Sequence, residues 1–206
     1  MKGLKTEQNK FWVGKFGNDY VERGDRSLAL SSNISLFSKI LSRTKSIESV
    51  IEFGANIGLN LMAIKQLLPN IDLSAIEINK KSVQELKLLE GLKVYHQSIF
   101  DFVVDSQRDF VFTKGVLIHI NPNKLSYVYD LLYKTSKYYI CLAEYYNPKP
   151  VNVDYRGHQN KLFKRDFAGE MLNKFNDLQL VDYGFVYHRD NNFPQDDITW
   201  FLMEKV

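Results

Sequence analysis

Ser49-Val50-Ile51-Glu52-Phe53-Gly54-Ala55-Asn56-Ile57-Gly58 is a short apolar run that ends in glycine, and its reading decides the fold. The residues behind it, from about Gly58 to Leu68, are spaced as a helix and stop at Pro69. A buried strand, a glycine-bearing turn and a helix make up the first unit of a parallel sheet. In such sheets ligands lie beyond the carboxyl ends of the strands, so Glu52 to Gly58 is the first place to look for one.

Outward from that unit the rhythm repeats. Leu73 to Ile78 reads as a strand, Lys80 to Glu90 as a helix, and Leu92 to His96 as the next strand, followed by another at Asp109 to Thr113. Pro122 stands where a helix can begin, with Leu125, Val128, Leu131 and Leu132 as its apolar stripe. Tyr138 to Glu144 is apolar enough for a strand buried on both faces. After a helix at about Asp166 to Phe175, two β-rich segments, Leu178 to His188 and Ile198 to Glu204, are joined only by Arg189 to Asp197. A link that short demands antiparallel pairing. The expected fold is therefore α/β and Rossmann-like: a mostly parallel sheet with helices on both faces, finished by an antiparallel hairpin. Upstream, Ile34 to Leu41 has helical spacing, and residues 1 to 27 form an appendage carrying Phe11, Trp12, Phe16 and Tyr20. The expected organisation is one domain, with residues 1–46 as a lid or cap segment and helix and residues 47–206 as the main body.

Two kinds of nucleotide-like ligand compete for the first loop. A dinucleotide fingerprint anchored on Gly54 needs glycines where Asn56 and Leu59 stand. The E-x-G-x-G-x-G loop that holds S-adenosylmethionine (AdoMet) matches at Glu52, Gly54 and Gly58, with Asn56 in place of the middle glycine. Asparagine tolerates a left-handed backbone, so the turn survives the exchange. Glu52 also repels a pyrophosphate and suits a ligand with an ammonium and a sulfonium. Glu77 ends the second strand, where an acid grips two ribose hydroxyls. With Ile78 it forms a second ligand wall, and Ser98 and Ile99 at the next strand end are placed to read adenine.

The whole pattern resembles a class I AdoMet-dependent methyltransferase, whose seven-stranded sheet ends in the antiparallel hairpin derived above. A narrower resemblance lies in Phe11 to Gly17 with Tyr20 and Arg23, Thr113 to Pro122, Ala143 to Pro148, Tyr155 to His158, Lys161 to Phe167 and Tyr187 to Asp190. These segments are similar to methyltransferases associated with pseudaminic acid biosynthesis. The resemblance implies a nonulosonic acid, its nucleotide-activated form or an amino-sugar precursor as methyl acceptor, with either oxygen or nitrogen methylated. A nicotinamide-dependent sugar-nucleotide reductase and a non-catalytic AdoMet-binding partner remain the alternatives.

Methyl transfer is an in-line displacement, so holding the acceptor at attack distance is the main task, and a base helps where a hydroxyl must lose its proton. His119, just past the fourth strand, is the first candidate base, since histidine titrates near neutrality. Glu144, ending the fifth strand, orients His119 or binds an amino group, and His158 is a third candidate. Lys114 and Gly115 complete the cofactor wall. Trp12 and Tyr20 form a lid over it, with Arg23 reaching the AdoMet carboxylate. Tyr145 to Arg165 reads as a long functional loop, in which Tyr145, Tyr155 and Arg156 contact substrate. His188 and Arg189 offer a second anion contact.

Composition bounds this reading. The 206 residues are 45% hydrophobic and 25% charged, which suits one domain with a real core. Lys+Arg 27 against Asp+Glu 24 gives a net charge of +3, too small and too mixed for a nucleic-acid binder. What positive charge there is concentrates in Arg156, Lys161, Lys164 and Arg165, which suits an acidic sugar. One cysteine, Cys141, forms no intrachain disulfide and reads as a buried strand residue; no metal-site spacing occurs. Met1 to Gln8 has no apolar signal region, and no segment is long and apolar enough to span a membrane, so a cytoplasmic location is expected.

Overall fold

The structure, a computed structural model, describes residues 6–206; Met1 to Lys5 of the N-terminal reading lie outside the described residues. Five parallel strands run β1 (Ser49–Phe53), β2 (Asp72–Glu77), β3 (Leu92–His96), β4 (Arg108–Lys114) and β5 (Ser136–Glu144). The order across the sheet is β3-β2-β1-β4-β5-β9-β8, where β8 (Leu178–Val186) and β9 (Ile198–Lys205) form the antiparallel end. The strand order reverses between β1 and β4, and that reversal opens a crevice beyond their carboxyl ends.

Alternation along the strands divides the core. Val50, Phe110, Phe112, Tyr139 and Cys141 pack toward α3 (Arg26–Leu41), α4 (Leu59–Leu67) and α5 (Lys80–Leu86). Ile51, Phe53, Val111, Ile140 and Leu142 pack toward α6 (Leu125–Thr135) and α7 (Phe167–Lys174). Period-2 side-chain alternation thus gives the central strands two apolar faces, which is why they read as continuous hydrophobic runs. Cys141 is buried there, and burial pushes its thiol up, away from ionisation.

Three segments differ from the expectation. The helix expected from Ile34 begins at Arg26, because Asp25 accepts the Ser27 and Leu28 N–H groups and caps it. The appendage contains α1 (Glu7–Val13) and α2 (Lys15–Tyr20). The long loop expected at Tyr145 to Arg165 is a β-hairpin, β6 (Val151–Tyr155) with β7 (His158–Lys164). Its two turn residues, Arg156 and Gly157, are both left-handed, with φ of 51° and 80°, as a two-residue hairpin turn requires. Among the described residues no helix is long and apolar enough to cross a membrane.

Candidate functional site

The β1–α4 turn is built from three left-handed residues: Gly54 at φ 79°, Asn56 at 47° and Gly58 at 84°. A Cβ on Gly54 would come within 2.7 Å of Val116, and one on Gly58 within 2.8 Å of Leu86 and Leu89. Both glycines are therefore required by backbone angle, and at Gly54 the Val116 side chain leaves no room for a Cβ either. Asn56 does more than tolerate its conformation. Its N–H donates to Glu77 Oε2 at 2.8 Å, and its Oδ1 accepts from Ser82 Oγ at 2.9 Å. Glu77 also accepts from the Asn79 N–H at 2.7 Å, so the β2 carboxylate is clamped from two loops, and burial pushes its pKa upward. Carboxylate oxygens have further lone pairs for a ligand's hydroxyls.

These loops line one cavity of about 570 Å³, within the usual range for small-molecule sites. Of the residues singled out above, Gly54, Asn56, Glu77 and Ile78 lie on its wall, as do Ser98, Ile99, Lys114 and Gly115. Trp12, Tyr20 and Arg23 roof it, and Tyr145, Tyr155, Arg156 and His119 close the remaining side. The roof is tied down by polar contacts. Asn79 Nδ2 donates to the Trp12 carbonyl and to Asn18 Oδ1, both at 2.9 Å, and Asn9 Nδ2 donates to Ser98 Oγ at 2.9 Å. The Arg23 guanidinium lies over Phe16 and Tyr20, 4.8 and 5.4 Å from the ring centres. Burial drives the Tyr20 hydroxyl up to about 12 and holds the half-buried Lys114 ammonium below its usual range.

His119 is buried between the rings of Trp12 and Tyr155, 4.8 and 4.9 Å away. Its Nδ1 is 2.5 Å from the Lys161 carbonyl on β7. A carbonyl only accepts, so Nδ1 carries the proton and Nε2 carries the lone pair. Burial lowers the pKa of the ring to about 4, which keeps it neutral at physiological pH.

Six expected contacts fall elsewhere. Gly58 turns the chain into α4 between Ile57 and Leu59, which line the cavity while it does not. Glu144 is off the cavity wall: Oε1 accepts from Thr113 Oγ1 and from the Val116 and Leu117 N–H groups at 2.9 to 3.1 Å, and Oε2 from the Ile118 N–H at 3.3 Å. It holds the turn that carries His119 without touching the ring, and burial moves its pKa up to about 7. Glu52 lies one layer back and reaches the wall through Asn60, whose Nδ2 donates to Glu52 Oε1 at 2.6 Å. Desolvation pushes Glu52 up to about 8. His158 is exposed and packs edge-on against Phe11 and Phe16, outside the roof. His188 points to Asp197, 2.8 Å away, and Arg189 is exposed beyond the wall. From that same β8–β9 connection it is Pro194, Gln195 and Asp196 that line the cavity.

Sequence reasoning also passed over Asn79 and Asn9. Asn79 carried a readable signal, since it caps α5 through the Lys81 and Ser82 N–H groups directly after Glu77. Asn9 sits on a short helix with no apolar period and carried none. Ser32 Oγ, Asn60 Oδ1 and Gln195 Oε1 are buried wall atoms without a hydrogen-bond partner among the described residues. All three accept hydrogen bonds, so they fit a ligand bearing N–H donors.

No protein-family model and no curated protein sequence matches the chain. Solved structures match its fold. A magnesium protoporphyrin IX methyltransferase (ChlM) from Synechocystis PCC 6803, with bound SAH, is 15% identical over 98% of this chain and 100% of that one, with a TM-score of 0.69. The plantazolicin methyltransferase BpumL, in complex with a pentazolic desmethylPZN analogue and SAH, is 13% identical over 96% and 94%, with a TM-score of 0.65. The N-terminal domain of EvdMO1, in the presence of SAH and D-fucose, is 11% identical over 84% and 82%, with a TM-score of 0.61. At these identities the likeness is one of fold.

Proposed function

We propose that the protein is an AdoMet-dependent methyltransferase acting on a small acidic sugar, of the nonulosonic acid type or a nucleotide-activated or amino-sugar precursor. The observation that carries this reading is the clamp of Glu77 onto the left-handed Asn56 turn at the point where the strand order reverses. The residues present fit AdoMet. Glu77 meets the ribose, Ser98 and Ile99 the adenine, and the unpartnered oxygens of Ser32, Asn60 and Gln195 an ammonium. Bound AdoMet supplies a methyl group already activated by a sulfonium. The solved structures of the same fold hold SAH, which supports the same ligand here.

The chain's own contribution is to orient the acceptor and receive its proton. Trp12, Tyr20 and Tyr155 enclose the acceptor and exclude water, while Arg156 offers a fork for its carboxylate. His119 Nε2 accepts the hydrogen bond of the acceptor's O–H or N–H. With AdoMet bound, the acceptor would take the methyl group as its bond to sulfur breaks; the ring would receive the acceptor's proton, and the imidazolium would carry the positive charge that the sulfonium gives up. The total charge of the site is unchanged by the step, which suits a group that resists charging in the free protein. Glu144 acts as a positioning residue by fixing the backbone from Val116 to Ile118.

The test is transfer of an isotopically labelled methyl from AdoMet to a panel of free and nucleotide-linked nonulosonic acids, read by mass. A labelled product identifies the acceptor and the methylated atom together. No transfer to any member removes the proposed substrate class.

A further inference from the structure

Three carboxylates line the cavity, and two already accept hydrogen bonds from the backbone. Asp25 accepts the Ser27 and Leu28 N–H groups, and Glu77 accepts those of Asn56 and Asn79. The third, Asp196, accepts no hydrogen bond and makes no ion pair among the described residues. Its place is nevertheless fixed. Gln195 on one side donates from Nε2 to the Ser32 carbonyl at 2.8 Å and from its N–H to the Tyr187 carbonyl at 3.2 Å. Asp197 on the other side is held by His188, and its N–H closes onto the Gln195 carbonyl at 2.8 Å. Asp196 therefore stands at the apex of a tight turn pinned at both flanks.

The surroundings define what it would meet. Tyr20, Tyr145 and Lys114 each feel the charge of Asp196, and Tyr20 also feels Arg156 and Arg23. The mouth thus sets one unengaged carboxylate among aromatic rings and three cationic side chains. A purely cationic acceptor would be repelled by Lys114, Arg23 and Arg156. A purely anionic one would face Asp196 unpaired, and burying an unpaired carboxylate under a ligand is costly. An acceptor carrying both charges satisfies both sides.

Resting on the reading of this cavity as a methyl-transfer site, we infer that Asp196 binds a protonated amine of the acceptor, which is therefore a zwitterion with its anionic end toward Arg156. Asp196 is a specificity residue: it selects amino-bearing acids over their hydroxyl counterparts.

The experiment uses three matched probes on the SAH-loaded protein: glucosaminate, with both charges, gluconate, with the anion alone, and glucosamine, with the cation alone. Binding is followed by the fluorescence of Trp12, with a Trp200→Phe background to isolate its signal. Glucosaminate should bind at least about tenfold more tightly than either partner, as a charged hydrogen bond allows. Asp196→Asn should erase the preference over gluconate while leaving gluconate and SAH affinity within about twofold. Equal binding of gluconate and glucosaminate, no glucosaminate binding, or an equal loss for both in Asp196→Asn overturns the inference. Loss of SAH binding in the unmutated protein instead overturns the reading of the cavity, so the two failures are told apart. Asp196→Glu, which retains the charge, should keep part of the preference; a variant with none overturns the role of the charge.

Discussion

Glu77 and His119 illustrate what a single side chain's neighbours add to its sequence position. The place of Glu77 at a strand end was legible, but its clamp on the Asn56 and Asn79 N–H groups was not, because those partners lie on two separate loops. Glu77→Ala removes the proposed ribose contacts and the clamp together, and AdoMet affinity should fall by about 1.5–3 kcal/mol, measured by calorimetry. His119 was legible as a polar residue past β4, whereas its tautomer depends on a carbonyl 42 positions away in the chain. Its pKa falls from 6.5 to about 4 on folding, so between those values the unfolded chain binds more protons. Stability is therefore lost as pH drops from about 6.5 through about 4. His119→Gln should fall less in urea midpoint between pH 7 and pH 4.5, and should lose about 10²–10⁴-fold in methyl transfer with unchanged AdoMet affinity. An unaltered transfer rate would remove the ring as proton acceptor. Glu144, Glu52, His158, His188 and Arg189 lie off the cavity wall for one reason: position along a strand or loop does not say which side a side chain takes.

Strands and helices of the sheet were readable because burial imposes a period on them, and β1 to β5 with the β8–β9 pair fall where that period placed them. The β6–β7 hairpin was not read, although Val151-Asn152-Val153 alternates and Arg156-Gly157 makes a two-residue turn. Its strand β6 is exposed, so little burial contrast marks it. The roof helices α1 and α2 are short and held by side-chain bonds to Asn79, Ser98 and the hairpin, including Glu7 to Lys161 at 2.6 Å. Such contacts leave no period in sequence. If the roof covers the ligand, Trp12→Ala should weaken AdoMet binding by about 1 kcal/mol, the worth of a specific aromatic contact. A variant that is less stable yet binds AdoMet as before would make α1 and α2 a structural cap.

Across the molecule, a Rossmann-like sheet, a roof and a hairpin converge on one cavity at the strand-order reversal, and the ligand chosen for it is the central claim. Ligand bound only to the folded state stabilises it by mass action, about 2.7 kcal/mol at a hundred times Kd, or about 5–10 °C in Tm for a chain of this length. AdoMet and SAH should both raise Tm in this way. The dinucleotides NADH and NADPH should leave it unchanged, because Asn56 and Leu59 replace two of the three glycines their fingerprint needs. Calorimetric titration of the purified protein with AdoMet decides the matter most directly. Binding with a Kd below about 100 µM, weakened by about 1.5–3 kcal/mol in Glu77→Ala and absent with NADPH, is the predicted result; no heat with AdoMet, or equal binding of NADPH, would contradict it.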